Sequence, residues 1–163
     1  GSGNIKQAVN DSKRFTVVVP LVALFLGLVT IILRRPIISL FNFNENITEL
    51  TINTAMGIML VYGLHIPIRT IPYIQVVGIF RSGGDTATAA KYDLICLWAL
   101  AIPATLFAAF VLKLPFVAIY ATMYVAEDYL KAFLCLKHFK SKKWLRPVTA
   151  AGKDALIAHR QES

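Results

Sequence analysis

Two long runs without a charged residue constrain this chain more than any other feature of its sequence. Residues 15–33 and 94–112 each contain 19 consecutive uncharged, mainly apolar residues. At about 1.5 Å per residue, an α-helix of this length covers roughly 28 Å, close to the bilayer hydrocarbon thickness of about 30 Å. A soluble helix needs an apolar stripe rather than an apolar surface all round. Both runs therefore predict membrane-spanning helices.

Two further apolar segments are interrupted by charges. Residues 50–80 contain a single charged side chain, that of Arg69. Residues 114–136 contain three, those of Glu127, Asp128 and Lys131. Both lengths suit membrane helices, and the longer segment has room to tilt or to leave the lipid at one end. The sequence therefore predicts an all-α polytopic membrane protein with four transmembrane helices.

Prolines inside the second of these helices fit a membrane setting. Pro67 and Pro72 lie five residues apart, and either would damage a soluble helix. In lipid, neighbouring helices and local readjustment satisfy the freed backbone groups. We expect residues 50–80 to be kinked or partly unwound near these prolines.

The distribution of cations explains the positive charge. The chain is 56% hydrophobic and 16% charged, with a net charge of +8, which excludes a disordered chain and argues against a plain soluble enzyme. Twelve of the 17 lysines and arginines lie in residues 1–14, 81–93 and 137–163, which four spans place on one face. The positive-inside rule makes that face cytoplasmic. We predict a cytoplasmic loop over residues 1–14, a basic cytoplasmic tail over residues 137–163, and both termini in the cytoplasm.

The basic tail does not predict a nucleic-acid partner. It has one tryptophan, Trp144, and no series of aromatic side chains on which bases stack. Cations beside a membrane attract anionic lipid head groups instead, at about 1 kcal/mol each. We expect His138 and His159, which belong to this tail, to be solvated.

A glycine-rich motif, Arg81-Ser82-Gly83-Gly84-Asp85-Thr86, separates the second and third predicted helices. Glycines permit positive φ, and Asp85 or Thr86 can cap the following helix. We predict a structural turn built by Arg81, Gly83, Gly84 and Asp85. It is not a phosphate loop, because no Gly-Lys-Ser/Thr follows and no strand precedes it.

Arg69 has two possible roles. A cation near a helix end can extend its side chain to the membrane interface, whereas a deeper one faces a water-filled cavity or a carboxylate partner. Arg69 lies 12 residues before Arg81, or about 18 Å along a helix, which is deep for the first role. His65, four residues earlier on the same helix face, can line the same cavity. The polar residues of this helix are candidates for a substrate pathway: Asn53, His65, Arg69, Tyr73 and Gln75.

Glu127 and Lys131 are spaced i, i+4 with the acid first, which is the favourable order for a helical ion pair. The two residues form either a structural pair or a charge relay for a proton or cation. Asp128 points about 100° away from Glu127 on a helix, so the two carboxylates are not expected to face each other.

The sequence gives no support for an enzyme. No Ser/His/Asp set, paired-carboxylate arrangement or metal-binding helix is visible, and we expect no cofactor. Cys96 and Cys135 fall inside predicted helices and are expected to be buried apolar residues rather than a disulfide.

Several motifs together resemble the multidrug and toxic compound extrusion (MATE) transporters. GIFRSGGDT at residues 78–86 looks like the family's glycine-rich loop. Gly-Ser-Gly-Asn at residues 1–4, followed by Ala8, looks like the loop after the second helix of a lobe. The remaining matches look like the last two helices and the start of the tail: Asp93, Trp98, Pro103, Leu114-Pro115, Glu127, Lys131 and Ser141-Lys142-Lys143-Trp144. The resemblance covers about residues 1–147.

This resemblance implies a position within a larger transporter. MATE proteins have twelve helices in two six-helix lobes, and the Ser-Lys-Lys-Trp run favours helices nine to twelve. The chain then looks like a C-terminal lobe fragment that lacks the first two helices of that lobe and the whole other lobe. The missing helices and the lipid bilayer are its expected partners, and the inner (plasma) membrane of a prokaryote is its expected location.

The resemblance also implies a function. MATE proteins export drugs or other amphiphilic, often cationic compounds in exchange for protons or sodium ions. The carboxylates usually credited with ion coupling lie mainly outside this sequence, and residues 50–80, the tenth helix by this alignment, contain no Asp or Glu. No family coupling acid therefore carries over.

Two other functions remain open at this point. A lipid-linked oligosaccharide flippase of the same superfamily predicts more cavity cations than Arg69 alone. A freestanding four-helix membrane accessory protein would bind a partner and transport nothing. The upstream reading frame discriminates a transporter fragment from the accessory protein: eight further hydrophobic helices are expected for the fragment, and a start codon just before Gly1 for the accessory protein.

Overall fold

The computed structural model describes residues 4–41, 48–147 and 149–161. Within these residues the backbone forms five helices and no strand, which confirms the predicted all-α class. The helices are α1 (Ile5–Ser39), α2 (Glu49–Phe80), α3 (Thr86–Val111), α4 (Phe116–Lys140) and α5 (Ala150–Gln161). Helices α1, α2 and α3 are long and apolar enough to cross a membrane. Helix α4 has 25 residues, but its three central charges lower its hydropathy.

The helices extend well beyond the uncharged runs of the sequence. Residues 5–14, expected as a loop, form the first turns of α1, which begins where the Asn4 side chain accepts a hydrogen bond from Gln7 N–H at 3.0 Å. Helix α3 begins at Thr86 rather than near residue 94, and the tail contains α5. Hydropathy marks the part of a helix that suits lipid, whereas capping side chains decide where the helix begins.

The prolines of α2 lie within a continuous helix, whose winding changes just after Pro72. The α-helix runs through Pro67 and Pro72 to Tyr73 and continues as a π-helix over Ile74–Phe80. In α3, π-helical segments likewise flank Pro103, at Ile95–Ala101 and Phe107–Val111. Local π-helical adjustment keeps backbone groups paired near residues that lack an N–H.

Helices α1 and α2 pack through a glycine pair. A Cβ on Gly27 would collide with the backbone oxygen of Gly63, and a Cβ on Gly63 would lie 2.8 Å from the oxygen of Gly27. Only glycine allows the two backbones to approach this closely. Small residues at such crossings are the usual means of helix association in lipid, where apolar attraction between helices is weak.

The compact core lies at one end of the helices. It joins the beginnings of α1 and α3 to the ends of α2 and α4 and to the tail; its buried residues are Val9, Val76, Ile79, Phe80, Ala89, Cys135, Trp144 and Leu145. Elsewhere many large apolar side chains are exposed, among them Phe25, Phe110 and Leu21. Exposed apolar surface on this scale indicates contact with lipid or further helices.

Candidate functional site

Five charged side chains from three helices meet in one place, which we call the charged cluster: Arg69 of α2, Asp93 of α3, and Glu127, Asp128 and Lys131 of α4. Arg69 Nη1 donates to Asp128 Oδ2 at 3.5 Å and lies 4.0 Å from Glu127 Oε2. The structure therefore places Arg69 against two carboxylate partners, with its side chain 41% exposed. Although Glu127 and Asp128 point in different directions, Arg69 lies within ion-pair distance of both.

Lys131 is the second cation of the charged cluster, and it contacts two of the carboxylates. Its Nζ lies 3.2 Å from Glu127 Oε1, which is the i, i+4 pair that the spacing predicts, and 2.5 Å from Asp93 Oδ1 on α3. The interhelical partner Asp93 was missed as a site residue. Its position in the Asp…Trp…Pro pattern was the one signal, but that pattern does not say what Asp93 touches.

A cavity of about 150 Å³ opens onto the charged cluster. Beyond the five charged residues it is lined by Tyr73, Val76 and Val77 of α2. The Arg69 guanidinium lies 4.8 Å from the centre of the Tyr124 ring, within the range of a cation–π contact. The cavity thus brings ionic and aromatic groups to the surface of the helix bundle.

The predicted substrate-pathway residues separate into two groups. Arg69 and Tyr73 line the cavity. Asn53 is exposed in the first turns of α2, 16 residues or about 24 Å from Arg69 along the helix. Gln75 is fully buried and, among the described residues, its amide has no hydrogen-bond partner.

His65 is not among the residues that line this cavity. Its Nδ1 is 3.1 Å from the Val61 carbonyl oxygen, and its ring centre is 5.9 Å from those of Tyr124 and Tyr129. Its Nε2 is buried with no partner among the described residues. His65 therefore packs beside the site through aromatic contacts.

The glycine-rich motif forms a second polar group, which we call the loop cluster: Asp85, Thr88, His138 and Arg146. Asp85 is the N-cap of α3, and its Oδ1 accepts hydrogen bonds from Thr88 N–H at 3.4 Å and Thr88 Oγ1 at 2.8 Å. His138 Nε2 lies 2.7 Å from Oδ2, and Arg146 Nη1 lies 3.1 Å from Oδ1. The buried carboxylate thereby joins the start of α3 to the end of α4 and the tail.

The tail closes over the glycines of the motif. Arg146 N–H donates to the Gly83 carbonyl at 2.7 Å, and a Cβ on Gly83 would strike the Trp144 ring. Gly84 has a φ of +90°, which strongly favours glycine. Arg81 contributes its carbonyl, which accepts from Gly84 N–H at 3.1 Å, while its side chain is exposed. The predicted turn therefore also joins the tail to the loop through tertiary contacts, and we call this arrangement a structural joint.

The expectation that His138 is solvated is wrong. Its side chain is 10% exposed and packs edge-on against Phe80 and Tyr92. Fifty-three residues separate His138 from Asp85, so no local pattern could pair them. The side chain of His159 lies outside the described part of the chain.

Asp85 makes the stability of the protein depend on acid pH. Burial opposes ionisation, but hydrogen bonds from Thr88 and His138 and the charge of Arg146 outweigh it and lower the pKa of Asp85. A carboxyl with a lower pKa in the folded state stabilises the fold above its unfolded value of about 3.9, and this stability is lost as pH falls through the folded pKa.

We therefore expect the free energy of unfolding to decrease below about pH 4, and to decrease less in Asp85→Asn. Denaturant titrations at pH 7, 4 and 3 measure this dependence. Asp11→Asn, at an exposed pair with Arg14, is the matched control and should follow the wild type. An acid dependence equal in Asp85→Asn and wild type would contradict the assignment.

The fold and both clusters define a helical membrane protein with ionic groups held between its helices. The family model MatE matches residues 1–107, about two thirds of the chain, and the chain belongs to this family of membrane transporters. The match confirms the family resemblance, and the proteins of this family are transporters. Neither the search of curated proteins nor that of solved structures gave a match.

Proposed function

We propose that this chain supplies helices nine to twelve of a secondary antiporter, which exports amphiphilic or cationic compounds in exchange for protons or sodium ions. The charged cluster is the observation that carries the proposal. Ionisable residues within membrane helices are costly, and they usually mark ion or substrate pathways. Here they border a cavity of about 150 Å³ instead of being sealed in the protein.

The charge balance of the cluster supports a cation rather than an anion as the transported partner. Three carboxylates, Asp93, Glu127 and Asp128, face only two cations, Arg69 and Lys131. A partly buried group with one surplus negative charge favours uptake of a positive charge. The predicted charge relay of Glu127 and Lys131 is part of this arrangement.

The same balance favours antiport over the flippase alternative. A lipid-linked oligosaccharide carries anionic phosphate, which would need free cations in the cavity. Arg69 and Lys131 are each already paired with two carboxylates. A freestanding accessory protein has no evident use for a cavity bordered by ion pairs, and the MatE match supports a transporter.

The loop cluster fits the proposed topology. With both termini in the cytoplasm, the motif at residues 81–86 and the basic tail share the cytoplasmic face. Trp144 and Arg146 then fix the tail against the loop on that face. We propose that the loop cluster is a structural joint and that the charged cluster is the functional site.

Efflux driven by an ion gradient tests the proposal. In vesicles containing the transporter that carries these helices, Arg69→Ala should lower efflux of a cationic dye by at least about tenfold, because it leaves two partly buried carboxylates without their cation. His65→Ala should have a smaller effect, since it removes only aromatic packing beside the site. Arg81→Ala, an exposed loop cation, is the control and should transport normally. Wild-type rates from both Arg69→Ala and His65→Ala would contradict the proposal.

A further inference from the structure

We propose that Asp128 is the carboxylate of the charged cluster that takes up and releases a proton. When Asp128 is ionised it pairs with Arg69, and when it is protonated this ion pair is lost. This inference rests on the proposed antiport function and deepens it. It assigns the exchange to a residue of α4, outside the helices to which the family resemblance attributes ion coupling.

Burial distinguishes the three carboxylates of the cluster. The side chain of Asp128 is 2% exposed, against 13% for Glu127 and 40% for Asp93. Removing a carboxylate from water penalises its ionised form. Burial therefore favours a neutral, protonated carboxyl at Asp128 more than at the other two.

The contacts point to the same residue. Lys131 lies 2.5 Å from Asp93 and 3.2 Å from Glu127, so these two carboxylates share a close cation. The ion-pair partner of Asp128 among the described residues is Arg69, at the long distance of 3.5 Å. The side chain of Arg69 is itself 41% exposed and also lies near Glu127. Asp128 is thus the most buried carboxylate and the one held most loosely.

All charged and titratable groups around Asp128 enter this balance. From α2, Arg69 makes the ion pair, and His65 lies near enough for its charge to act on Asp128. From α4 come Glu127 and Lys131, and from α3 come Asp93, at the far side of Lys131, and the buried thiol of Cys96. The three carboxylates and two cations of the charged cluster carry one surplus negative charge. One proton therefore makes the cluster neutral.

The exchange is a simple proton transfer. A hydronium ion reaching the cavity beside Asp128 gives its proton to Oδ2, an O–H bond forms, and a water molecule remains. The carboxylate becomes a neutral carboxyl with no change in oxidation state. Arg69 then loses the charge that draws it to Asp128, and it retains Glu127 at 4.0 Å and the face of Tyr124. Protonation and the position of Arg69 are thereby linked.

Infrared difference spectroscopy of the purified protein in lipid vesicles tests this assignment without requiring transport. As pH falls, the wild type should gain the carbonyl band of a buried protonated carboxyl. Asp128→Asn should lose that band, whereas Glu127→Gln and Asp93→Asn should retain it. Arg69→Gln should retain the band to a pH higher by about 1–3 units, because an adjacent cation favours the ionised carboxylate by that amount.

Each outcome bears on the proposal. A carbonyl band that persists in Asp128→Asn, or that disappears in Glu127→Gln instead, overturns the proposal. A band that is suppressed by sodium but not by choline overturns it as well. If circular dichroism shows that Asp128→Asn is unfolded, Asp128→Glu decides: a folded Asp128→Glu variant must show a shifted band, and its absence overturns the proposal. An intact Asp128 band in a protein without antiport would overturn the proposed function alone.

Discussion

Asp85→Ala is expected to lower the free energy of unfolding by about 3 kcal/mol. Removing the buried carboxylate leaves the Arg146 charge and the His138 ring without their partner, and the loss of one member of a fully buried ion pair typically costs about 3–5 kcal/mol. The lower end of this range applies because the Arg146 side chain is 56% exposed, so solvent screens its charge. His138 is only 10% exposed, and its Nε2 would lose the contact with Asp85 Oδ2. The lost cap of α3 contributes to the same change. Denaturant unfolding in detergent micelles, followed by circular dichroism, measures it.

Two variants calibrate the Asp85 result. Asp11→Ala removes an acid from an exposed pair with Arg14 at 4.0 Å, and should change stability by less than about 0.5 kcal/mol. Arg146→Ala removes the exposed partner of Asp85 and should fall between the two. If Asp85→Ala were no more destabilising than Asp11→Ala, the loop cluster would not be a structural joint.

Gly63→Ala is expected to separate α1 from α2 and to lower stability by about 1–3 kcal/mol, the usual cost of overpacking a close contact. Its new Cβ would lie 2.6 Å from Ile31 Cγ1 and 2.8 Å from the Gly27 backbone oxygen. Ile31 can rotate, but the backbone of α1 must move as a whole. The same micelle unfolding experiment reports the change.

Gly78→Ala is the matched control on the same helix. A Cβ at Gly78 would meet only Ile74 Cδ1 at 3.3 Å, the far end of a flexible side chain. Alanine favours helix by up to about 1 kcal/mol over glycine, so Gly78→Ala should be neutral or stabilising. Equal losses in Gly63→Ala and Gly78→Ala would show that helix packing at Gly27 and Gly63 is unimportant.

Helix α4 links the two polar clusters. Lys131 of the charged cluster and His138 of the loop cluster are seven residues apart, or about 10 Å along one helix. Asp93 and Asp85 are eight residues apart on the opposing segment. The joint between the tail and the loop therefore helps to fix how α4 is rotated about its axis and how far it lies along its neighbours. These two quantities set the positions of Glu127 and Asp128 relative to Arg69.

The sequence predicted those features that depend on local composition. Charge-free runs predicted the helices, since lipid requires apolar residues on every side of a spanning helix. The glycine-rich motif predicted a turn with positive φ and a cap at Asp85 or Thr86, which need only neighbouring residues; the structure has these at Gly84 and Asp85. The i, i+4 spacing predicted the pair of Glu127 and Lys131. The helices begin outside the uncharged runs, at capping residues that hydropathy does not register.

Contacts between distant residues were decided by the tertiary structure alone. Fifty-nine residues separate Arg69 from Asp128, and 53 separate Asp85 from His138. Which side chains meet depends on how each helix is rotated and how far it slides along its neighbour, and these are set by contacts such as that of Gly27 with Gly63. By itself, the sequence determined a helical membrane protein with charges in its interior. The packing decided that Asp128 is buried beside Arg69 and that the basic tail is fastened to the loop.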